Sequence, residues 1–196
     1  MTVTNLRDLA ILTVKAPAQA SRILLSMEIP REALWTGLAL VAVLNGLLFA
    51  LSNLLVPGPS PLPEMFLVPV LYTALVAGGL VLTVFALFWT GRFMGGTGTL
   101  DDIMLAILWL QGLRVALMVI VIVLILTVPV LSALLVFGAS IYGLYILLHF
   151  VNEAHRLNSL AKSAGVLVAS MAAIVLGLTL LISLFGGPIS GLTAYV

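Results

Sequence analysis

The 196-residue sequence contains no cysteine and little charge, with 8% of its residues Asp, Glu, Lys or Arg against 63% hydrophobic. The missing thiols exclude disulfides, thiolate metal sites and cysteine nucleophiles. So little charge excludes a soluble domain of this size, whose surface needs far more polar cover. The eight basic residues are scattered and the net charge is +1. No surface can therefore follow a phosphate backbone, and nucleic acid is not an expected partner. Catalytic patterning is missing as well: no serine lies in a GxSxG-like elbow and no carboxylate pair lies within an apolar run. No catalytic residue, cofactor or metal is expected. Residues 1–28 are mixed and charged, without the basic start, apolar core and small-residue cleavage site of a signal peptide.

Long apolar runs fill most of the chain. A bilayer core of roughly 30 Å takes about 20 apolar residues per helix, and the runs divide into five spans at about 34–56, 66–89, 103–126, 130–150 and 164–185. The expected fold is an all-α membrane protein, a bundle of five transmembrane helices in residues 31–196 behind an N-terminal amphipathic helical arm in residues 1–30. In the arm, Ala20, Ile23, Leu24 and Met27 share one helix face, Leu6, Leu9, Ala10 and Thr13 form a similar earlier turn, and Pro17 suits a first turn. The arm either lies at the membrane interface with Arg7, Lys15 and Arg22 towards headgroups or packs under the bundle. The stretch Pro57-Gly58-Pro59-Ser60-Pro61-Leu62-Pro63 breaks any helix. Pro129 marks the turn between spans three and four. An alternative is an interfacial helix from Leu100 to Gly112 followed by a later span, because Leu113 to Phe137 holds only Arg114 as a charge.

Basic residues set the orientation. With five spans, Arg7, Lys15, Arg22, Arg31, Arg92, Arg156 and Lys162 all fall on one side. The rule that such residues stay inside predicts a cytoplasmic N-terminus and an external C-terminus.

Three groups of residues stand out. Arg114, with Gln111 three residues earlier on the same helix face, is a cation near mid-bilayer that needs an acceptor. It reads either as part of a buried polar site for an anion, lipid headgroup or proton, or as a structural arginine bonded to Asn45, Asn53 or exposed carbonyls or snorkelling to the cytoplasmic interface. The glycine-rich stretch 91–102 lacks the GxxxxGK[ST] pattern of a phosphate loop. There Thr99 reads as a helix N-cap with Asp102 three residues on, and Asp101 and Asp102 suit the positive helix end. Arg92, Gly95, Gly96, Asp101, Asp102, His155 and Arg156 form a candidate cytoplasmic contact face. His149 and Glu153 share a face but lack a third metal ligand, so His149, Asn152 and Arg156 are expected to pack the end of span four against the glycine-rich loop. In the last span Gly165, Ala169, Ala173 and Gly177 recur every four residues, a small-residue stripe for close helix packing inside the bundle or against another protein.

Three short motifs carry a family resemblance: Gly95-Gly96-Thr97-Gly98-Thr99-Leu100 opening a span, Ile29-Pro30-Arg31-Glu32-Ala33-Leu34-Trp35 opening another, and Glu153-Ala154-His155 leading to Ala161-Lys162. With five spans and a cytoplasmic N-terminal region, the chain resembles the bacterial branch of the Yip family, named for yeast proteins that interact with Rab-type GTPases. That resemblance implies a non-enzymatic protein of the bacterial inner membrane with a periplasmic C-terminus. Its partners would be the lipid bilayer and other membrane proteins or further copies of itself. The long soluble N-terminal region and the Asp-Leu-Tyr-Gly-Pro type motif of eukaryotic members are missing, so GTPase binding is not carried over. The expected role is a scaffold or accessory subunit of a membrane complex; the competing one is a small transporter or channel component, or a lipid-binding protein, with a polar path at Arg114 and Gln111.

Overall fold

The computed structural model describes residues 5–56 and 67–185, with side chains described as far as Thr179. Asn5 opens the chain's first helix: its side-chain oxygen accepts from the Asp8 amide at 2.9 Å, satisfying one of the orphan donors of a helix start. Helix α1 covers Leu6–Lys15, and α2, Pro17–Leu25, starts on a proline that loses nothing in a first turn. The long helices follow as α3 Arg31–Leu55, α4 Pro69–Phe93, α5 Leu100–Thr127, α6 Pro129–His155 and α7 Leu160–Phe185. These five are long and apolar enough to cross a membrane, as the composition predicts, and the chain is an integral membrane protein.

Each long helix runs a few residues past its apolar stretch at the end carrying the arm, here called the arm end. There α3 begins at Arg31, α4 reaches Phe93, α5 begins at Leu100 and α6 reaches His155. Helix α5 continues unbroken through Gly112 and Arg114, so the alternative of an interfacial helix ending at Gly112 is corrected. A single glycine costs only about 1 kcal/mol in a helix, whereas breaking the hydrogen-bond ladder in lipid costs several per exposed group. The break falls at Val128, with φ −138°, ahead of Pro129. The proline-rich stretch lies outside the described residues.

Burial is concentrated at the arm end. Leu34 and Leu38 of α3, Val84 and Leu87 of α4, the unbroken run Ile103–Ile107 of α5, Phe150 and Ala154 of α6 and Val166 of α7 are all buried there. Leu9, Ala20 and Leu24 of the arm join the same core. Towards the other end, the far end, α5 and α6 turn most of their side chains outward. Between Val115 and Tyr142 only Ile122 and Ser132 are buried among the described residues. Lipid tails are as apolar as leucine, so this exposure carries no hydrophobic penalty in a bilayer.

The arm packs against the bundle, the second of the two arrangements open from sequence, and also keeps an apolar outer face. Trp109 donates its indole N–H to the buried Thr13 hydroxyl at 3.0 Å, and the Tyr142 hydroxyl donates to the Val14 carbonyl at 2.6 Å. Leu6, Ile11 and Val14 point away from the bundle. The two bonds fix the C-terminal turn of α1 against α5 and against the middle of α6.

Candidate functional site

The polar residues of the arm end close into a collar built on two matching helix ends. Helix α4 finishes with Gly95 at φ 87°, the left-handed position that glycine takes without strain. The Gly96 amide donates to the Gly91 carbonyl at 2.8 Å and the Gly95 amide to the Arg92 carbonyl at 3.0 Å, the paired bonds of a Schellman turn. Helix α6 ends in the same way, the Leu157 amide reaching the Asn152 carbonyl and the Arg156 amide the Glu153 carbonyl. Here the left-handed slot, at φ 56°, holds Arg156 in place of glycine. A non-glycine residue there costs about 1–2 kcal/mol. The Arg156 guanidinium donates to the Thr97 carbonyl at 3.3 Å and lies 3.3 Å from an Asp102 oxygen, ties that offset the strain.

The two turns face each other across a buried imidazole. The Thr97 amide donates to the His155 carbonyl at 2.9 Å, locking the glycine-rich loop to the end of α6. His155 is 0% exposed, and a methyl group built on Gly91 would overlap its ring. One built on Gly98 would meet the Ala154 carbonyl, so the loop lies directly on the α6 backbone. Neither ring nitrogen of His155 makes a hydrogen bond; the Leu87 carbonyl lies close to the ring without the geometry for one.

Three ion pairs complete the collar among the described residues. Arg22 of the arm meets both carboxylate oxygens of Glu153 at 2.9 Å, which holds its guanidinium pKa above the usual value, first through the hydrogen bonds and then through the charge. Arg31 meets Asp101 at 2.9 Å, and Arg156 meets Asp102. Asp102 also serves the capping box read from sequence: it accepts from the Thr99 amide at 3.0 Å, and Thr99 accepts from the Asp102 amide at 3.1 Å.

The structure brings Gly95, Gly96, Asp101, Asp102 and Arg156 together, and it removes His155 from the contact face. His155 faces inward because the glycines around it leave room for nothing else. Arg92 is exposed, 5.2 Å over the Phe88 ring, and makes no ion pair among the described residues. The expectation that His149, Asn152 and Arg156 pack against the glycine-rich loop holds only for Arg156. His149 instead meets Tyr145 edge-on at 4.6 Å between ring centres, and Asn152 accepts from the Ser159 amide at 2.9 Å within the α6–α7 turn. Glu153 is engaged by Arg22 from across the chain, so it is no metal partner for His149.

Arg114, Gln111 and Asn45 do not form a buried cluster. The Asn45 amide donates to the Val41 carbonyl of its own helix at 2.8 Å. Gln111 is half-buried, and Arg114 is exposed without a hydrogen bond or ion pair among the described residues. In α7 the seam facing the bundle runs through Ser163, Val166 and Ser170, with Thr90 and Ser170 hydroxyls 2.6 Å apart. The small-residue stripe lies beside that seam: Gly165 borders Met94, Ala169 is half-buried, Ala173 is exposed and Gly177 has open space around it. Sequence reasoning missed the pairs Arg22–Glu153, Arg31–Asp101 and Trp109–Thr13, whose partners are 70 to 131 residues apart. No local pattern announces contacts at such separation.

The five long helices, the glycine-rich turn laid on the end of α6 and the capped start of α5 agree with a family comparison: the family model for the Yip1 domain matches residues 11–189. The chain belongs to the Yip family. That match takes in the second half of α1, all of α2 to α7 and the whole collar, so the buried Thr13 and the Arg22–Glu153 pair are part of the Yip domain as it stands in this chain. The chain matches no curated protein and no solved structure.

Proposed function

We propose that this Yip-family protein is a non-enzymatic scaffold or accessory subunit of a membrane complex, working through helix contacts and its polar collar. The observation that carries the reading is the far half of α5 and α6. These two helices stand side by side with nearly their whole perimeter turned outward, including Phe137 at 68% exposed and Leu134 at 63%. Such a hairpin offers surface rather than an enclosed pocket. The collar supports the same reading, since Glu153, Asp101 and Asp102 are each engaged by an arginine and Asp102 by a helix cap as well.

The same reading puts the arm end in the cytoplasm of a bacterial inner membrane. Support comes from Arg7, Lys15, Arg22, Arg31, Arg92, Arg156 and Lys162, all on this side of the five helices. A reporter fused after Val196 is expected in the periplasm, and a cytoplasmic signal refutes the orientation.

The test of the function is extraction from the native membrane in a mild detergent, followed by mass spectrometry of what co-elutes at fixed stoichiometry. The chain has no native cysteine, so a Phe137→Cys variant provides a single thiol for crosslinking at the proposed surface. We expect one protein to co-elute in constant ratio and to crosslink at that position. A particle containing this chain alone overturns the accessory role.

A further inference from the structure

Helix α5 carries a charge that has no ion-pair partner among the described residues. Arg114 lies 14 residues from Leu100 and 13 from Thr127, about 21 Å and 20 Å along the helix, so it stands at the middle of a span. Met104, Ile107, Gln111 and Arg114 follow one another at i, i+3, i+7 and i+10 and share one helix stripe. The first two are buried in the core, Gln111 is half-buried and Arg114 emerges exposed. The stripe thus leaves the core as it approaches the far end, and the cation sits where protein cover has ended.

Among the described residues no carboxylate is paired with it. The nearest acids on α5, Asp101 and Asp102, are 13 and 12 residues away, about 18 Å or more, and both are paired in the collar. Glu153 is held by Arg22, and Glu32 lies in the first turn of α3 at the arm end. Lipid phosphates lie outside a hydrocarbon layer of roughly 30 Å, about 15 Å from its middle. A carboxylate on a foreign helix can reach the level of Arg114 directly, and a guanidinium binds a carboxylate through two parallel hydrogen bonds.

We propose that α5 docks, through Arg114 and Gln111, a transmembrane helix of another protein that carries an Asp or Glu near its own midpoint. The proposal rests on the accessory-subunit reading and names the chemistry of the partner. Arg114 supplies the charge, and Gln111, one turn towards the arm end, supplies a neutral hydrogen-bonding amide that fixes the register of the incoming helix.

The test uses the full chain reconstituted in phosphatidylcholine vesicles, with a leucine-based transmembrane peptide carrying one central Glu as the probe and energy transfer as the readout. The Glu peptide is expected to associate about tenfold more tightly than its Leu counterpart. Arg114→Leu should erase that preference and leave the Leu peptide unchanged, while Arg114→Lys should keep part of it. Circular dichroism and monodisperse elution of each variant exclude loss of fold as the cause. Equal binding of the two peptides by the native chain, or a preference that survives Arg114→Leu, overturns the proposal. Loss of the preference when phosphatidylglycerol is added overturns it in favour of a lipid phosphate at Arg114. A native complex that keeps its stoichiometry in Arg114→Leu overturns this docking mode while leaving the accessory role standing.

Discussion

The contact between Gly91 and His155 permits a quantitative test of how the collar is held. A methyl group at residue 91 would overlap an imidazole that is 0% exposed and roofed by Gly96, where an added carbon would lie 2.8 Å from the Gly91 carbonyl and 2.9 Å from the His155 Cβ. Neither side can move freely, so Gly91→Ala is an overpacking change expected to cost about 1–3 kcal/mol. At about 2–4 °C per kcal/mol for a chain of this length, the midpoint falls by about 2–12 °C. His155→Ala alone removes a filled volume and costs about 2 kcal/mol, below the range for a larger aromatic side chain. Combined, the methyl occupies part of the space the ring vacates, so the double variant should be more stable than the sum of the two losses predicts by about 1 kcal/mol or more. Reversible unfolding in mixed detergent micelles, followed by near-ultraviolet circular dichroism, gives all four corners of the cycle. Additive losses, or a Gly91→Ala variant within about 0.5 kcal/mol of the native chain, would refute a ring wedged between the two helix ends.

Two further outcomes follow from contacts at the same end. Thr99→Ala removes one half of the capping box at the start of α5 and is expected to destabilise the bundle by about 0.5–2 kcal/mol in the same assay, while Thr99→Ser should recover most of the loss; equal stability of all three would mean that the cap contributes nothing. Trp109→Phe deletes the bond to the buried Thr13 hydroxyl and is expected to loosen the arm, a loss of about 1 kcal/mol. Faster amide exchange confined to residues 9–15 would show it, and unchanged exchange there would show that the arm is held by packing alone.

The fold was largely legible in the sequence because apolar length and charge placement act locally and additively. Thr99 and Asp102 announced the start of α5 through a spacing that means the same thing in any helix. Gly95 likewise marks the end of α4, since only glycine takes the left-handed position cheaply. The equivalent position in α6 holds Arg156, which carries no such signal; its strain is repaid by Thr97 and Asp102, residues the chain reaches from another element. His155 was misjudged for a related reason. A charged or polar residue in a connecting stretch ordinarily faces water, and only the nearness of Gly91, Gly96 and Gly98 in three dimensions turns it inward. Arg114 stands out in the sequence as a lone cation, but whether it is buried depends on where the arm-end core stops, which hydropathy alone does not reveal.

The arm also imposes an order on the making of this protein. Arg22 is translated before the five long helices, and its partner Glu153 follows 131 residues later, an interval of about 7–26 s at ordinary synthesis rates of about 5–20 residues per second. Throughout that time α3, α4 and α5 are entering the membrane while Leu9, Thr13, Ala20 and Leu24 wait without the α6 surface that will help cover them. The arm's amphipathic face can rest on the bilayer surface in the interval, beside the site where its helix partner will appear. Completion of α6 then supplies the arm's remaining partners, so a segment made before all five long helices settles only once four of them are in place.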